Sequence, residues 1–564
     1  MTFLETHYLP TDRFHSLAAG LDLPLMVDGS ALFADISGFT PVTERLRMIL
    51  GARRGAEELA AHLNRVYEVL IAQVDRYGGS IIGFAGDAIT CWFGTETAAV
   101  QATVCGFALL DAMRGVEQIT LPDGSLFRLG LKAVVTSGTT RRFVVGDPGI
   151  QLIDALAGAT VARVAVGEAL AERGELLADV ATLERLGNAG VVRDWRGGGT
   201  DRFAVLEPFE QSPDLAAVRF DSSLPIQRET LFPWMLPALV HHIRTGMGEF
   251  PIELRPVTAL FLRFSGINYD DDTNAAEKLN QLARQVQAIV HGYEGSVLQL
   301  TIGDKGSYLY AAFGAPFAHE DDAVRALNAA IGIREVVGRL GYLDPAQIGI
   351  SRGIMRTGAY GSSTRRTYGV LGDEVNLAAR LMSQTEPGTI LLSESLLGVN
   401  LDGFALESLT PIEVKGKANP IRVFRLTGLR ERSFEARFYT SPMVGRGDEL
   451  TKLHAAVRPV FEGRHSGVTL VYGEPGMGKS RLAFELQQRL QQDGASVTWL
   501  TGQADALNRA PFSAFAYFLR HYFGQQRDRN RDNNINMAAF EIAFDDLLAF
   551  ADETTRADLV LYRS

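Results

Sequence analysis

The sequence predicts an α/β protein in which two copies of one module are followed by a phosphate-binding α/β segment. The first copy carries ALFADISGF at residues 31–39 and LGLKAVVTSG at 129–138, and the second carries the similar ALFLRFSGI at 259–267 and IGISRGIMRTG at 348–358. Each copy reads as strand, helix, two strands, helix and strand, an order typical of a sheet with helices on one face. The third observation is GEPGMGKS at 473–480, which matches a phosphate-binding loop.

The composition restricts the class of protein. A length of 564 residues with 46% hydrophobic and 21% charged residues is typical of about three or four globular domains. The net charge of −11 gives no basic surface for nucleic acid. Cys91 and Cys105 are the two cysteines, and both lie in apolar stretches. They cannot make a disulfide framework, so we expect buried thiols in a reducing compartment.

No stretch of the sequence predicts a membrane span. The longest candidate, 98–113, is short, shows helical periodicity and carries Gln101 and Asp111. The N-terminal MTFLETHYLPTDRF has early acidic residues and no apolar core, which is unlike a signal peptide. We therefore expect a cytoplasmic protein without a membrane partner.

The repeat and the Pro-rich stretches divide the chain into six parts. The connector between the two copies contains a predicted helix at Leu231–Arg244. The predicted parts are an N-terminal extension (1–24), a first module (25–206), a linker (207–252), a second module (253–428), a linker (429–440) and a P-loop domain (441–564) that we expect to be incomplete.

Two aspartates of the first module, Asp35 and Asp87, have surroundings that suit metal ligands. Asp35 ends an apolar strand before a Ser-Gly turn, so its carboxylate would lie beside free backbone N–H groups that can bind phosphate oxygens. Asp87 lies in a Gly-Asp turn between two apolar strands. In isolation, Asp35 could cap a helix and Asp87 could serve a hairpin. Together they suit a site for two Mg²⁺ ions.

The second module lacks the first aspartate and adds a helical pair. Arg263 stands where the first module has Asp35, and GDEVNLAARLM supplies Asn376 and Arg380, which share one helix face. An isolated pair could simply face solvent, whereas a catalytic pair would orient a sugar and neutralise phosphoryl charge. Two incomplete modules therefore predict one complete site between them. The corresponding stretch QLIDALAGATVARVA offers Arg163 but no asparagine, so we expect the mirror-related site to be degenerate.

These motifs together resemble class III nucleotide cyclases, and the unequal tandem resembles soluble adenylyl cyclases over about residues 25–428. The resemblance implies two ferredoxin-like α/β sandwich domains paired head to tail as a pseudo-heterodimer. It implies one interfacial active site that converts ATP to 3′,5′-cyclic AMP and pyrophosphate. The implied roles are two Mg²⁺ ions (Mn²⁺ can substitute) on Asp35, Asp87 and Ile36, phosphates on the backbone of Ile36, Ser37, Gly38 and Phe39, ribose on Asn376, and the α-phosphate on Arg380.

Base choice would depend on Lys305 in TIGDKGSYLY, which matches the lysine of an FDKG-like turn in the soluble enzymes. A lysine only donates hydrogen bonds, so it suits N1 of adenine and is mismatched to the protonated N1 of guanine. Gly369 stands where the family has Asp or Thr, and it has no side chain that could accept a hydrogen bond from the adenine amino group. Of the two positions that select the base, only Lys305 therefore supports a preference for ATP. Lys415, rather than Lys417, matches a lysine that reaches terminal phosphates. Gly83 replaces the lysine before FAGDA in bicarbonate-responsive relatives, which argues against activation by bicarbonate.

The P-loop motif follows a predicted strand, VTLVY, and precedes an amphipathic helix. The amides of Gly473, Gly476 and Gly478 would surround phosphates, Lys479 would reach the β/γ oxygens, and Ser480 would bind Mg²⁺. VGRGDEL resembles the start of signal-transduction NTPase modules. We expect a second nucleotide here, whereas the lack of a clear Walker B strand argues against hydrolysis.

The leading interpretation is an adenylyl cyclase with one interfacial site, a regulatory P-loop module, and a regulatory protein or small molecule as its activator. A guanylyl cyclase is the alternative within the class, and Lys305 argues against it. A nucleotide-binding signalling scaffold with a non-catalytic cyclase-like sensor is the alternative from another class. The complementary distribution of metal ligands and catalytic pair argues against that scaffold. NTPase activity as the main function is weakened by the missing Walker B strand.

Overall fold

The computed structural model describes residues 4–199, 201–210, 224–247, 250, 252–303, 307–399, 401, 403–414, 420–429, 443, 445–473 and 477–493. The chain forms two compact units, Met1–Arg430 and Glu431–Ser564. Both modules lie in the first unit, and the P-loop motif lies in the second. Within the described residues, no helix is both long and apolar enough to cross a membrane.

The first module is built around one mixed sheet. Its elements are α1 (Thr11–Ala18), β1 (Met26–Ser37), α2 (Phe39–Arg76), β2 (Ser80–Ala85), β3 (Ala88–Phe93), α3 (Ala98–Arg114), β4 (Gln118–Thr120), β5 (Leu126–Arg128), β6 (Gly130–Asp147), β7 (Gln151–Ala157), α4 (Ala159–Leu170), β8 (Leu176–Asp179), α5 (Val180–Leu186), β9 (Val192–Arg196) and β10 (Phe203–Leu206). The strand order is β2-β3-β1-β6-β8-β10-β9, with β7 paired to β6, while β4 and β5 pair separately.

The second module repeats this architecture. Its elements are α6 (Pro237–Arg244), β11 (Glu253–Phe264), α7 (Ala275–Gly292), β12 (Ser296–Thr301), β13 (Ser307–Phe313), α8 (Asp322–Arg339), β14 (Gln347–Gly361), β15 (Arg366–Leu371), α9 (Asp373–Gln384), β16 (Ile390–Ser393), β17 (Phe404–Ser408) and β18 (Val423–Leu429). The order β12-β13-β11-β14-β16-β18-β17, with β15 paired to β14, is that of the first sheet. The predicted α/β class and the duplication are therefore confirmed.

Helices cover both faces of each sheet, whereas the sequence predicted helices on one face. Leu32 and Ala34 of β1 pack with α2 and α3, while Ala31, which points to the other face, packs with Val164 of α4. The cause is the parallel pairing of β6 with β8, and of β14 with β16. Parallel neighbours require a crossover connection, and α4 and α9 lie in those crossovers.

The helix predicted at Leu231–Arg244 is shorter in the structure. The helix α6 begins at Pro237, and two 3₁₀ turns precede it. Leu236 has extended backbone (φ −58°, ψ 136°), because the ring of a following proline disfavours the helical conformation. Pro237 then takes the first helical position, where its missing N–H costs no hydrogen bond.

The two modules exchange apolar side chains across their interface. Phe143 and Val145 of β6 lie in the hydrophobic core of the second module. Tyr360 of β14 lies in the core of the first module, where its ring centroid is 6.0 Å from that of Tyr67 and 5.7 Å from that of Phe84. Each core therefore includes residues of the other module, and the pair folds around shared cores.

Hydrogen bonds beside these exchanges are reciprocal, as expected for a pseudo-two-fold interface. Asn280 of α7 accepts a bond from the backbone N–H of Gly146 at 2.9 Å, and Asn64 of α2 accepts one from Gly361 at 3.3 Å. Both glycines have positive φ, 109° and 127°, which favours residues without a Cβ atom. The two connections are thus built from the same residue types in the same arrangement.

The described part of the second unit contains α10 (Gly447–Phe461) and α11 (Lys479–Gln492), which share a cluster of leucines. The stretch VTLVY, predicted as a strand, is not one in the structure. Val468 and Leu470 are 96% and 79% exposed. A strand requires a hydrogen-bonded neighbour, and no strand is present among the described residues of this unit.

We predict that Phe143→Ala destabilises the first unit by about 3–5 kcal/mol, because it removes an aromatic ring from a core shared by both modules. Thermal melting followed by near-UV circular dichroism measures the loss. Val144→Ala is the matched control, since Val144 is 41% exposed and surface changes usually stay within about 0.5 kcal/mol. Equal small effects of both substitutions would mean that the modules do not share a core.

Candidate active site

Asp35 lies near the end of β1, with Ala88 of β3 and Lys132 of β6 as its cross-strand neighbours. Its half-buried carboxylate is 3.6 Å from Lys132 Nζ, and Lys132 also lies 2.9 Å from the Glu168 carboxylate. Burial raises the pKa of Asp35, Lys132 opposes that shift, and Glu168 adds to it. The ionised carboxylate is therefore destabilised and would be stabilised by a further positive charge.

Asp87 occupies the turn between β2 and β3. Its carbonyl accepts a hydrogen bond from Ile36 N–H at 3.2 Å, and Tyr67 Oη donates to the Gly86 carbonyl at 2.8 Å. Burial, followed by repulsion from Asp35, raises the pKa of Asp87 to about 7. Two carboxylates that disfavour each other's charge fit a divalent cation. No third His, Cys, Asp or Glu joins them to form a metal cluster in the described part of the chain.

The predicted phosphate-binding backbone, Ile36–Phe39, spans the junction of β1 and α2. Gly38 has φ 102° and its missing Cβ would lie 3.1 Å from the Arg128 carbonyl oxygen, so the chain can turn abruptly there. Phe39 is the first residue of α2. The first N–H groups of a helix have no partner within it, and they attract anions. This junction is suited to a phosphate chain.

In the second module, α9 carries Asn376 and Arg380 on one side. Leu377, Ala378 and Leu381 bury the opposite side of the helix. Asn376 is exposed and Arg380 is half-buried. The apolar residues fix the helix on the sheet, so the amide at 376 has a defined direction.

A cavity of about 500 Å³ lies between the modules. Phe39 and Asp87 line it from the first module, and Phe261, Gly369 and Asn376 line it from the second. The structure thus brings together the predicted phosphate, metal and ribose positions in one space. Asp35 and Arg380 do not line the cavity themselves: Asp35 pairs with Ala88 in the sheet, next to Asp87, and Arg380 lies one helical turn beyond Asn376.

Lys305, Lys415 and Gly476 lie outside the described residues, and so does the side chain of Ser480. In the P-loop, Lys479 Nζ donates to the Gly473 carbonyl at 2.9 Å. Gly478, with φ 86°, immediately precedes α11. The Lys479 side chain, at the N-terminus of α11, therefore contacts the carbonyl of the first glycine of the motif.

Tyr360 explains why residue 369 is glycine. A Cβ atom at Gly369 would lie 2.6 Å from Tyr360 Cε1, which is too close for any side chain. The tyrosine that anchors the second module in the first therefore excludes the acceptor side chain that the family carries at 369.

At the mirror-related position, the helix lacks the catalytic pair. Gly158 precedes α4 as Gly372 precedes α9. Four and eight residues after Gly158 stand Ala162 and Val166, where α9 has its asparagine and arginine.

Polar groups near that helix have structural partners. Arg163 forms an ion pair with Asp179 at 2.7 Å and donates to the Ser137 carbonyl at 2.9 Å. Both carboxylate oxygens of Asp270, from the second module, accept from Ala159 N–H at 3.1 Å. A carboxylate on a helix N-terminus occupies the place where an anion would bind.

Sequence reasoning missed Lys132, Glu168, Tyr67, Tyr360 and Arg356. Lys132 interrupts the apolar strand LGLKAVV, and that interruption was an available signal for a functional lysine. Tyr67 and Tyr360 pack against each other across the two modules, and Arg356 lines the cavity between them, and no local pattern records either arrangement.

Comparison with known proteins finds similarity over two separate parts of the chain and to relatives that cover most of it. Residues 257–428 match the adenylate and guanylate cyclase catalytic domain, and residues 442–559 match an AAA ATPase domain. Adenylate cyclase type 10 of Rattus norvegicus is 24% identical over 500 residues, which are 82% of this chain and 31% of the relative. The human adenylate cyclase type 10 is 23% identical over 530 residues, 88% of this chain and 32% of the relative.

The solved structures that match the chain include the adenylyl cyclase CyaB from P. aeruginosa, at 26% identity over 32% of this chain and 98% of that chain, with a TM-score of 0.30. A class III adenylyl cyclase-like ATP-binding protein from Pseudomonas aeruginosa is 12% identical over 66% of this chain and 85% of that chain, with a TM-score of 0.47.

Residues 257–428 are therefore similar to nucleotide cyclase catalytic domains, and residues 442–559 to AAA ATPase domains. Over most of its length the chain is similar to adenylate cyclase type 10. A domain of this class depends on divalent metal in general. The chain spans about a third of the length of these relatives.

We predict that Asp87→Asn raises the melting temperature of metal-free protein at pH 8. The raised pKa of Asp87 means that the folded state loses stability as pH rises from about 4 to about 7, and the amide removes that loss. The difference between variant and wild type should be largest above pH 7 and shrink toward pH 4. Melting curves in EDTA across this range measure it.

Asp123→Asn is the control for that measurement. Asp123 is exposed, and hydrogen bonds from Ser125, with Arg45 nearby, lower its pKa to about 2. Its substitution should therefore not stabilise the protein at any pH above 4. A destabilised Asp87→Asn at pH 8 would contradict the described electrostatics.

Proposed function

We propose that the chain is an adenylyl cyclase that converts ATP to 3′,5′-cyclic AMP and pyrophosphate at one site between its two modules. The observation that carries this proposal is the cavity lined by Phe39 and Asp87 from one module and Asn376 from the other. The relatives named adenylate cyclase type 10 support it. We also propose a cytoplasmic location and the domain boundaries given above.

In the proposed reaction, the ribose 3′-oxygen bonds to the α-phosphorus, the bond from that phosphorus to the pyrophosphate oxygen breaks, and the hydroxyl proton is released. Asn376 would hold the ribose, and Arg380 would neutralise charge that grows on the α-phosphoryl oxygens. The amides at the start of α2 would hold the β- and γ-phosphates. The enzyme's own contribution is thus orientation and fixed positive charge.

We propose that Asp35 and Asp87, with the Ile36 carbonyl, hold two Mg²⁺ ions. When bound, such ions lower the pKa of the 3′-hydroxyl and stabilise the leaving pyrophosphate. The raised pKa values of both carboxylates support the fit, because a cation relieves their repulsion. Lys132 Nζ lies 3.6 Å from the Asp35 carboxylate. When a cation binds that carboxylate, Lys132 would either move away from it or contact it together with the cation.

For base selection, we propose that Lys305 donates to N1 of adenine, and that Lys415 contacts the terminal phosphates. Both proposals come from the sequence motifs.

We further propose that a second nucleotide binds the P-loop at Lys479, where the match to an AAA ATPase domain and the glycine before α11 support it. A regulatory protein or small molecule would act as activator.

The proposal predicts that Asn376→Ala and Asp35→Ala each lower cyclic AMP formation at least about 100-fold, as expected when a positioning or charge-stabilising group is removed. Purified full chain is incubated with ATP or GTP and Mg²⁺ or Mn²⁺, and cyclic nucleotide and free phosphate are measured. Melting temperatures check that each variant is folded.

Ser383→Ala is the matched control, because Ser383 lies on the exposed side of the same helix and bonds only to the Ala379 carbonyl. It should keep wild-type turnover. Tight ATP binding without cyclic product under any condition would favour the scaffold alternative. Cyclic GMP as the main product would favour the guanylyl cyclase alternative.

A further inference from the structure

Arg356 is a buried arginine whose hydrogen-bonding capacity is largely unused. It lies on β14, is 4% exposed, and lines the cavity between the modules. Its Nη2 donates to the Ala359 carbonyl at 3.3 Å. Its Nε and Nη1 have no hydrogen-bond partner in the described part of the protein. A guanidinium carries five N–H donors, so most of this group is available to a ligand in the cavity.

Burial lowers the pKa of Arg356 to about 10, with partial compensation from Tyr360. The side chain therefore stays charged at neutral pH although no carboxylate pairs with it among the described residues. An unpaired charge inside a protein costs folding free energy. Groups kept at such a cost are commonly functional.

The surroundings of Arg356 are aromatic. Phe261 and Tyr310 stack in this wall with centroids 4.4 Å apart and their planes 8° apart, and Tyr308 and Tyr360 also line it. The Tyr310 hydroxyl, like Arg356, has no hydrogen-bond partner among the described residues. Flat apolar faces with a few unused polar atoms suit a planar heterocycle better than a phosphate chain.

Tyr360 links Arg356 to the carboxylate of the first module. Arg356, Tyr360 and Asp87 all line the cavity. Asp87 raises the pKa of Tyr360, and Arg356 lowers it, so both groups act on the same ring.

We propose that Arg356 is a specificity-determining residue that binds the purine ring of the substrate nucleotide, donating a hydrogen bond to a ring nitrogen. This inference rests on the proposed function, because it takes the cavity to be the nucleotide site. It gives the second module a base-binding residue in the cavity wall that also includes Gly369, which has no side chain to contact a base. The Tyr360 ring fills the space beside Gly369 and lines the same cavity as this guanidinium.

The test compares Arg356→Met with wild type in a Lys479→Ala background, which removes binding at the P-loop. Binding of ATP and its 1-deaza, 3-deaza and 7-deaza analogues is measured by calorimetric titration with Mn²⁺, and cyclic product is measured in parallel. In wild type, 1-deaza-ATP should lose the bond proposed from Lys305, and one of the 3-deaza and 7-deaza analogues should bind about tenfold or more weakly than ATP, as expected for the loss of a bond to a charged donor. Arg356→Met should weaken ATP to a similar extent and remove the penalty of that analogue.

Arg352→Met is the matched control, because Arg352 lies on the same strand, four residues earlier, and is not part of the cavity wall. It should change neither ATP affinity nor the analogue pattern. Arg356→Met should also raise the melting temperature of nucleotide-free protein, since it removes a buried charge that has no carboxylate partner among the described residues. If the methionine variant does not fold, Arg356→Gln, which is neutral and polar, takes its place.

Wild-type affinity for ATP in the Arg356 variant, or an unchanged analogue penalty, would overturn the inference. A lowered melting temperature with unchanged affinity would assign Arg356 a structural role and overturn it too. Failure of the proposed function has a different result, namely no cyclic product from wild type. In that case the binding pattern alone still decides whether Arg356 reads the base.

Discussion

The structure depends on the insertion of Tyr360, from the second module, into the core of the first. Its ring packs against Tyr67 and Phe84, and Tyr67 holds the turn of Asp87 through the Gly86 carbonyl. The contact that pairs the modules therefore also positions a proposed metal ligand. The same ring excludes a side chain at 369. Pairing of the modules, the turn that carries the proposed metal ligand Asp87 and the space at position 369 are thus linked by one aromatic residue.

Charged groups of both signs lie in or beside this cavity, and burial disfavours the charged form of each. Asp35 and Asp87 are half-buried carboxylates with raised pKa values, while Arg356 is a buried guanidinium without a carboxylate partner in the described residues. A nucleotide with cations would supply positive charge at one end and hydrogen-bond acceptors at the other. Buried charges of this kind lower the stability of the fold, which is a known cost of preorganised sites.

The sequence predicted what depends on local pattern. The duplicated motifs and the shared order of strands and helices are enough to predict two similar sheets, and the shared helix face of Asn376 and Arg380 follows from helical spacing. Contacts between the two modules could not be predicted from the sequence. Tyr360 and Arg356 look like ordinary members of a strand, and their roles appear only when β14 meets the first module. The two-sided arrangement of helices was missed because it follows from the parallel pairing of β6 with β8, which motif order does not reveal.

The central claim is that both modules build one site, and a double-mutant cycle tests it most directly. Cyclic AMP formation is measured for Asp87→Asn, Asn376→Ala and the double variant in the full chain. If both residues serve one reaction centre, the losses will be non-additive, and the double variant will be about as slow as the slower single variant. Losses that multiply, or single variants that each keep about half of the activity, would contradict a single shared site.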